Sequence, residues 1–199
     1  ESFKSYQKDS AWTWEKLALT RARPICGDPT LVDELKIAIA DALGESRDEA
    51  ATKSDVLDMR KLMLKEHGTS GPWDIKRTRG GLVELEFISQ TLQLLHAPQD
   101  RSVLDTNTLN ALAKLESAGC LGADLAASLR RAGHLYHQLT QVLRLCLDGP
   151  YDPAKSLPAL NQLVANAAGC PDIQSAEALL VETQGLTAAA FDQIIGVPD

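Results

Sequence analysis

The residues able to do chemistry concentrate in one short run, Asp74-Ile75-Lys76-Arg77-Thr78-Arg79-Gly80-Gly81-Leu82-Val83-Glu84-Leu85-Glu86-Phe87. Three cations stand ahead of two glycines that open a helical pattern. Such a start can offer a phosphate both positive charge and free backbone N–H groups, with the positive end of the helix dipole behind them. Lys76, Gly80 and Gly81 are therefore candidate phosphate-facing residues. The run also reads as an ordinary helix start with solvated basic side chains. Glu84 and Glu86 lie two apart, so on a helix they point about 200° away from each other and cannot form a paired-carboxylate site. Their helix is apolar on two faces, so at least one of them is expected to be partly buried. A buried ion costs several kcal/mol unless a cation compensates it. Arg21, Arg23 and Lys76 are the candidate partners. A salt-bridge network that fixes helix packing is as good a reading of these charges as catalysis.

Other candidates are weaker. His134 and His137 sit three apart on a helical stretch, a spacing open to metal ligation, but no convergent third ligand accompanies them. Trp12, Trp14 and Trp73 are able to stack on a base, although core or interface packing is the commoner use of such rings. The four cysteines, Cys26, Cys120, Cys146 and Cys170, form no CxxC or Cys/His cluster and read as free thiols. The sequence holds no phosphate-binding GxxxxGK[ST], no HExxH, no GxSxG and no Asp-x-Asp pair of the kind that holds magnesium against a nucleoside triphosphate.

The elements that must position these residues are helical. Apolar residues recur at helix spacing nearly throughout, and Gly and Pro cut the chain into eight or nine segments. A first helix is expected over about 10–25, with Trp14, Leu17, Ala18 and Arg21 together and Gly27 closing it. Asp28-Pro29 is an N-cap followed by Pro at the first helical position, opening a helix through Leu31, Leu35, Ile39 and Leu43 that ends at Gly44. Further helices are expected over about 47–67, 82–96, 106–118 and 124–147, the last roughly 35 Å long at 1.5 Å per residue. Between Gly68 and Gly81 the pattern breaks into glycines and Pro72 around a short extended piece, 73–76. After the Gly149-Pro150-Tyr151-Asp152-Pro153 stretch, short segments follow over 157–168, 175–183 and 187–195. The fold class is all-α: a helical bundle with a long central helix over 1–149, and a small helical C-terminal appendage over 150–199 packing on it.

With 199 residues and 44% hydrophobic content the chain can bury a real core. Its formal net charge of -7 has the wrong sign for wrapping a nucleic-acid backbone. No apolar run is long enough to cross a membrane and no targeting segment is visible. A cytoplasmic setting is expected, and an opening residue Glu1 rather than Met suggests a chain cut from a longer one.

The tract from Ala11 through Trp12-Thr13-Trp14-Glu15 to Arg21-Ala22-Arg23, then Gly27-Asp28-Pro29, then Asp55 to Met59-Arg60, then the 74–87 run, resembles bacterial glutamine synthetase adenylyltransferases in order and over about the whole chain. The Trp-Thr-Trp-Glu opening is similar to the C-terminal, adenylylating half of those enzymes. The resemblance implies a helical domain beside a nucleotidyltransferase domain of the DNA polymerase beta superfamily, whose Gly-Ser and Asp-x-Asp motif is missing here. It implies a parent enzyme that uses ATP and magnesium to place AMP on a tyrosine of glutamine synthetase, and whose other half removes it by phosphorolysis, under control of glutamine and the PII signal protein. No catalytic residue and no bound cofactor are then expected in this chain. Its partners would be glutamine synthetase, PII and the upstream nucleotidyltransferase domain, with neither nucleic acid nor membrane. The resemblance further implies that Arg21, Arg23 and Lys76 face the phosphate charge while Asp74, Glu84 and Glu86 orient them. Two alternatives stay open: an interaction module that binds PII or glutamine synthetase without touching nucleotide, and the equivalent domain of a PII uridylyltransferase.

Overall fold

A computed structural model describes residues 2–68 and 71–198. The described residues are all helical or irregular, with no strand, as the periodicity requires. The helices are α1 (Ser2–Asp9), α2 (Thr13–Leu19), α3 (Pro29–Leu43), α4 (Glu49–His67), α5 (Leu82–His96), α6 (Thr108–Ser117), α7 (Ala123–Cys146), α8 (Pro158–Ala167) and α9 (Ile173–Ile194), with a 3-10 turn at Arg101–Val103.

Local chemistry sets most boundaries. Asp28 caps α3 by accepting from the N–H groups of Thr30 and Leu31, and Pro29 occupies its first turn. Asn107 and Asp172 cap α6 and α9 in the same way. The helix expected over 10–25 is shortened to α2, and a separate helix, α1, precedes it. The N–H groups of Ser10 and Ala11 both close on the Tyr6 carbonyl and end α1. The Glu15 carboxylate accepts from the Trp12 N–H at 2.9 Å and starts α2. After Leu19 the chain turns through bonds from Arg21 to Ala18 and from Ala22 to Leu19. Pro24 then disfavours a helical conformation at Arg23. The piece over 73–76 is a series of turns rather than extended chain.

The described residues fall into two compact units, 2–60 with 86–126 and 198, and 61–68 and 71–85 with 127–197, the boundaries lying inside α4, α5 and α7. In the first unit α1 and α2 pack on α3, and the 3-10 turn packs on α6. Its buried apolar residues include Leu17, Leu43, Val56, Ile88, Leu112 and Leu115. Arg60 is fully buried there and is partnered. In the second unit α8 packs on α9, and Leu129, Tyr136, Leu139, Val164, Leu180 and Phe191 are buried.

Instead of the two helices expected over 175–183 and 187–195, α9 runs unbroken for 22 residues with Gly185 in its interior. Glycine costs a helix only about 1 kcal/mol relative to Ala. Continuing the helix holds Gln184 and Thr187, both buried, in place on either side of it. Gln184 donates to the Pro72 carbonyl at 2.7 Å, and Thr187 lies 3.2 Å from the Tyr136 hydroxyl.

Candidate functional site

The glycine-rich loop of the second unit is built from its own backbone. Arg77 and Thr78 donate to the Asp74 carbonyl, Gly81 to Thr78, Leu82 to Ile75 at 2.8 Å and Val83 to Lys76 at 3.1 Å. Buried Ile75 anchors the loop. Gly80 adopts φ +70, and a Cβ there would lie 1.7 Å from the Gln184 carbonyl oxygen, so only glycine fits against α9. The Gly80 carbonyl accepts from the Tyr136 hydroxyl at 2.7 Å.

Beneath the loop lies a charge network. Glu84, fully buried, accepts from the Gly80 N–H at 2.8 Å and from Arg79 at 2.6 Å, and Arg79 also meets Asp192 at 2.6 Å and lies over the Phe191 ring. Burial works against the Arg79 charge, but its bonds to Glu84 and Asp192 outweigh that and raise its pKa. Burial pushes the Tyr136 phenol up to about 12, the Thr187 bond opposing and the nearby Glu84 charge adding to the shift.

This arrangement corrects two expectations. The N–H groups of Gly80, Gly81, Leu82 and Val83 are all engaged inside the loop, so the turn offers a phosphate no free N–H cradle. And the partner of the fully buried Glu84 is Arg79 rather than Arg23 or Lys76, while the expected pairing of Arg21 with one of the two glutamates holds at partly buried Glu86. Glu86, the other glutamate, pairs in the first unit with Arg21 at 2.5 Å, where the Arg21 side chain stays half exposed. The two carboxylates thus take separate roles. Asp74 pairs loosely with Arg77, at 3.9 Å. Arg23 is exposed and borders a small apolar cleft of about 220 Å³ between α2, α3 and the start of the segment before α6.

Lys76 is exposed on the rim of a cleft of about 510 Å³ in the second unit, with Trp73, Arg144, Asp148, Pro150 and Tyr151 among its lining residues. The Trp73 and Tyr151 rings meet edge to face at 4.8 Å. Trp73 donates to Glu177 at 2.5 Å and Tyr151 to Asn161 at 2.5 Å, so both rings are pinned by their polar tips. Trp12 and Trp14, by contrast, are 71% and 55% exposed, which rules out the core reading for both.

Three residues of this region, Tyr136, Arg144 and Asp192, have no counterpart among the candidates read from the sequence. They come from α7 and α9, and only the fold brings them to the loop. No local pattern marks them, although an Arg and a Tyr on a long amphipathic helix are the kind of residue to test.

The donor set does not fit a magnesium site. Glu84 is committed to Arg79 and Gly80, Glu86 to Arg21, and the described residues hold no group of three or more His, Cys, Asp or Glu able to bind a metal. His134 is exposed and His137 has a partner of its own. All four cysteines are free thiols. No helix of the described residues is long and apolar enough to cross a membrane.

The likeness to known proteins covers nearly the whole chain. Residues 49–185 match the family model described as GlnD PII-uridylyltransferase, and residues 1–38 match the one described as glutamate-ammonia ligase adenylyltransferase. The chain is 40% identical over 196 residues to a bifunctional glutamine synthetase adenylyltransferase/adenylyl-removing enzyme of Rhodopseudomonas palustris, covering 98% of this chain and 20% of that protein. It is also 40% identical over 195 residues to the enzyme of that name in a Bradyrhizobium species, and 40% over 194 residues to that of Xanthobacter autotrophicus, with the same coverage. The chain spans about one fifth of the length of these relatives.

Proposed function

Because this chain belongs to the family described as GlnD PII-uridylyltransferase, and its relatives over nearly its whole length are bifunctional glutamine synthetase adenylyltransferases, we propose that it is the helical accessory domain of such an enzyme. That enzyme transfers AMP from ATP to a tyrosine of glutamine synthetase and, in its other half, removes it. The Trp-Thr-Trp-Glu opening at residues 12–15 supports a place in the C-terminal, adenylylating half. The setting is cytoplasmic, and the partners are glutamine synthetase, the PII protein and an upstream nucleotidyltransferase domain.

The observation that carries this reading is the near-complete match of the chain to one fifth of those enzymes, joined to the commitment of Glu84 and Glu86 to arginines. Carboxylates that hold magnesium, and the in-line attack on the α-phosphate, would then belong to the rest of the longer protein. The chain's own residues bind and orient. Arg21, held by Glu86 yet half exposed, and Arg23 and Lys76, both exposed, supply positive charge toward phosphate. Arg79, Glu84 and Asp192 keep the loop that carries Lys76 rigid.

The test is transfer of labelled AMP to purified glutamine synthetase by this chain alone, by the chain joined to its upstream nucleotidyltransferase domain, and by that longer form carrying Lys76→Ala or Arg21→Ala. Labelling by the longer form only, reduced by either substitution while the fold is intact, is the expected result. Unchanged labelling by both variants removes the phosphate role.

One observation favours a second reading for the loop itself. The N–H groups of Gly80, Gly81, Leu82 and Val83 at the helix start are used internally, so Lys76 is presented by a rigid scaffold without an anion cradle there. That suits a protein-binding surface, for PII or glutamine synthetase, better than a phosphate site.

A further inference from the structure

Two clefts of the second unit share one wall. Trp73, Pro150 and Tyr151 line both the cleft of about 510 Å³ beside Lys76 and Arg144 and a neighbouring one of about 600 Å³ beside Lys155 and Ser156. Together they form a two-lobed groove that passes over an aromatic and proline ridge. The rings of that ridge are fixed by their bonds to Glu177 and Asn161. A groove with a rigid ridge between two lobes suits an extended chain crossing it better than a single compact molecule.

The charges bear on what crosses it. Lys76 and Arg144 are exposed and have no partner among the described residues, and Arg77 stands beside them with Asp74 at 3.9 Å. The first lobe therefore carries three cations, Lys76, Arg77 and Arg144, against two carboxylates, Asp74 and Asp148, in a chain whose formal net charge is -7. In the second lobe Lys155 is already paired with Asp152 at 2.7 Å. The local sign is opposite to that of the whole, and the unpartnered cations lie in one lobe only.

We infer that this groove docks an extended, acidic polypeptide segment from a partner protein, its carboxylates against Lys76 and Arg144 and an apolar, aromatic or proline side chain against the Trp73–Tyr151 ridge. The inference rests on the second reading of the loop above and names the class of partner that the loop serves. Complementary charge sets the register and speeds association, and the rigid rings supply contact area at little entropic cost.

A display library of random 12-residue peptides, selected on the chain, tests it directly. Recovered peptides should be enriched in Asp and Glu with an aromatic or proline anchor, and should weaken as salt rises. Their binding should fall about tenfold or more with Lys76→Glu/Arg144→Glu. Trp73→Phe, which keeps a ring but loses the Glu177 bond, should weaken them less, and circular dichroism confirms that each variant is folded. Peptides without acidic enrichment, or binding that ignores the double charge reversal, overturn the inference. So does displacement of the peptides by micromolar AMP or pyrophosphate, which would make the groove a site for small phosphorylated ligands. If the chain captures purified glutamine synthetase or PII equally well with and without the charge reversal, the protein-binding reading stands and the groove assignment falls. If it captures neither while acidic peptides still bind as expected, the groove stands and that choice of partners falls.

Discussion

Arg79 and Glu84 meet at 2.6 Å across the turn that starts α5, the carboxylate fully buried and the guanidinium one-third exposed. The same carboxylate takes the Gly80 N–H, and the same guanidinium takes Asp192 of α9. One ion pair thereby ties a loop, the helix it opens and the last helix of the chain. Its polar atoms are satisfied from both sides, the condition under which a buried pair is tolerated.

Removing one partner should therefore cost far more than the pair is worth. Glu84→Ala leaves Arg79 with Asp192 alone and the Gly80 N–H without its acceptor, and stability should fall by about 3 kcal/mol or more. Glu84→Gln keeps an acceptor for Gly80 and should cost less. Urea denaturation of the two variants gives the comparison, and equal losses would show that a neutral acceptor contributes nothing and that the lost charge accounts for the whole effect.

Two glycines should answer substitution with opposite signs. Gly80→Ala places a methyl 1.7 Å from the Gln184 carbonyl oxygen at φ +70, and a loss of about 3 kcal/mol or more is expected from strain and collision together. Gly185→Ala, inside α9 with open space around the new methyl, should gain about 0.5–1 kcal/mol by restricting the unfolded chain. Melting temperatures of the two proteins, one lowered and one raised, check both.

Tyr136 should make stability fall at high pH. Its phenol is raised from 10.0 to about 12, so the folded state holds the proton more tightly than the unfolded chain does. That contribution is complete below about pH 10 and is lost as pH rises through about 12, up to about 2–3 kcal/mol in all. Tyr6 and Tyr151 are raised too, so the measurement is the difference between the wild type and Tyr136→Phe. Denaturant melts at neutral and alkaline pH should converge as pH rises. At neutral pH the variant should be about 1–2 kcal/mol weaker, because the Gly80 carbonyl loses its donor.

Arg21→Ala should leave the fold nearly unchanged. Its ion pair with Glu86 is half exposed on the Arg21 side, and exposed pairs contribute about 0–1 kcal/mol. Any large loss of AMP transfer in the longer enzyme would then report on charge presented to the reaction. A loss of stability beyond that range, seen in the same denaturation assay, would make Arg21 a structural residue instead.

Much of the fold was legible because it rests on local chemistry. The apolar period, the Asp28-Pro29 cap and the clustered Gly and Pro placed α3, α5, α6 and α7 within a residue or two of their ends. The same spacing argument separated Glu84 from Glu86. Where a boundary depended on distant partners, local signals misled. Gly185 reads as a break, yet Gln184 and Thr187 find Pro72 and Tyr136 on other elements and the helix runs through.

The sequence by itself determined an all-α chain, the tract that resembles adenylyltransferases, and the need for a cation beside a glutamate in an apolar helix. Only the tertiary structure decided that the cation is Arg79, that the glycine turn uses its own N–H groups, and that Lys76 and Arg144 share one cleft. Periodicity and caps act within a few residues and can be read along the chain. Ion-pair choice, hydrogen-bond saturation and cleft lining depend on which residues, far apart in number, the folded core brings within a few ångströms of one another.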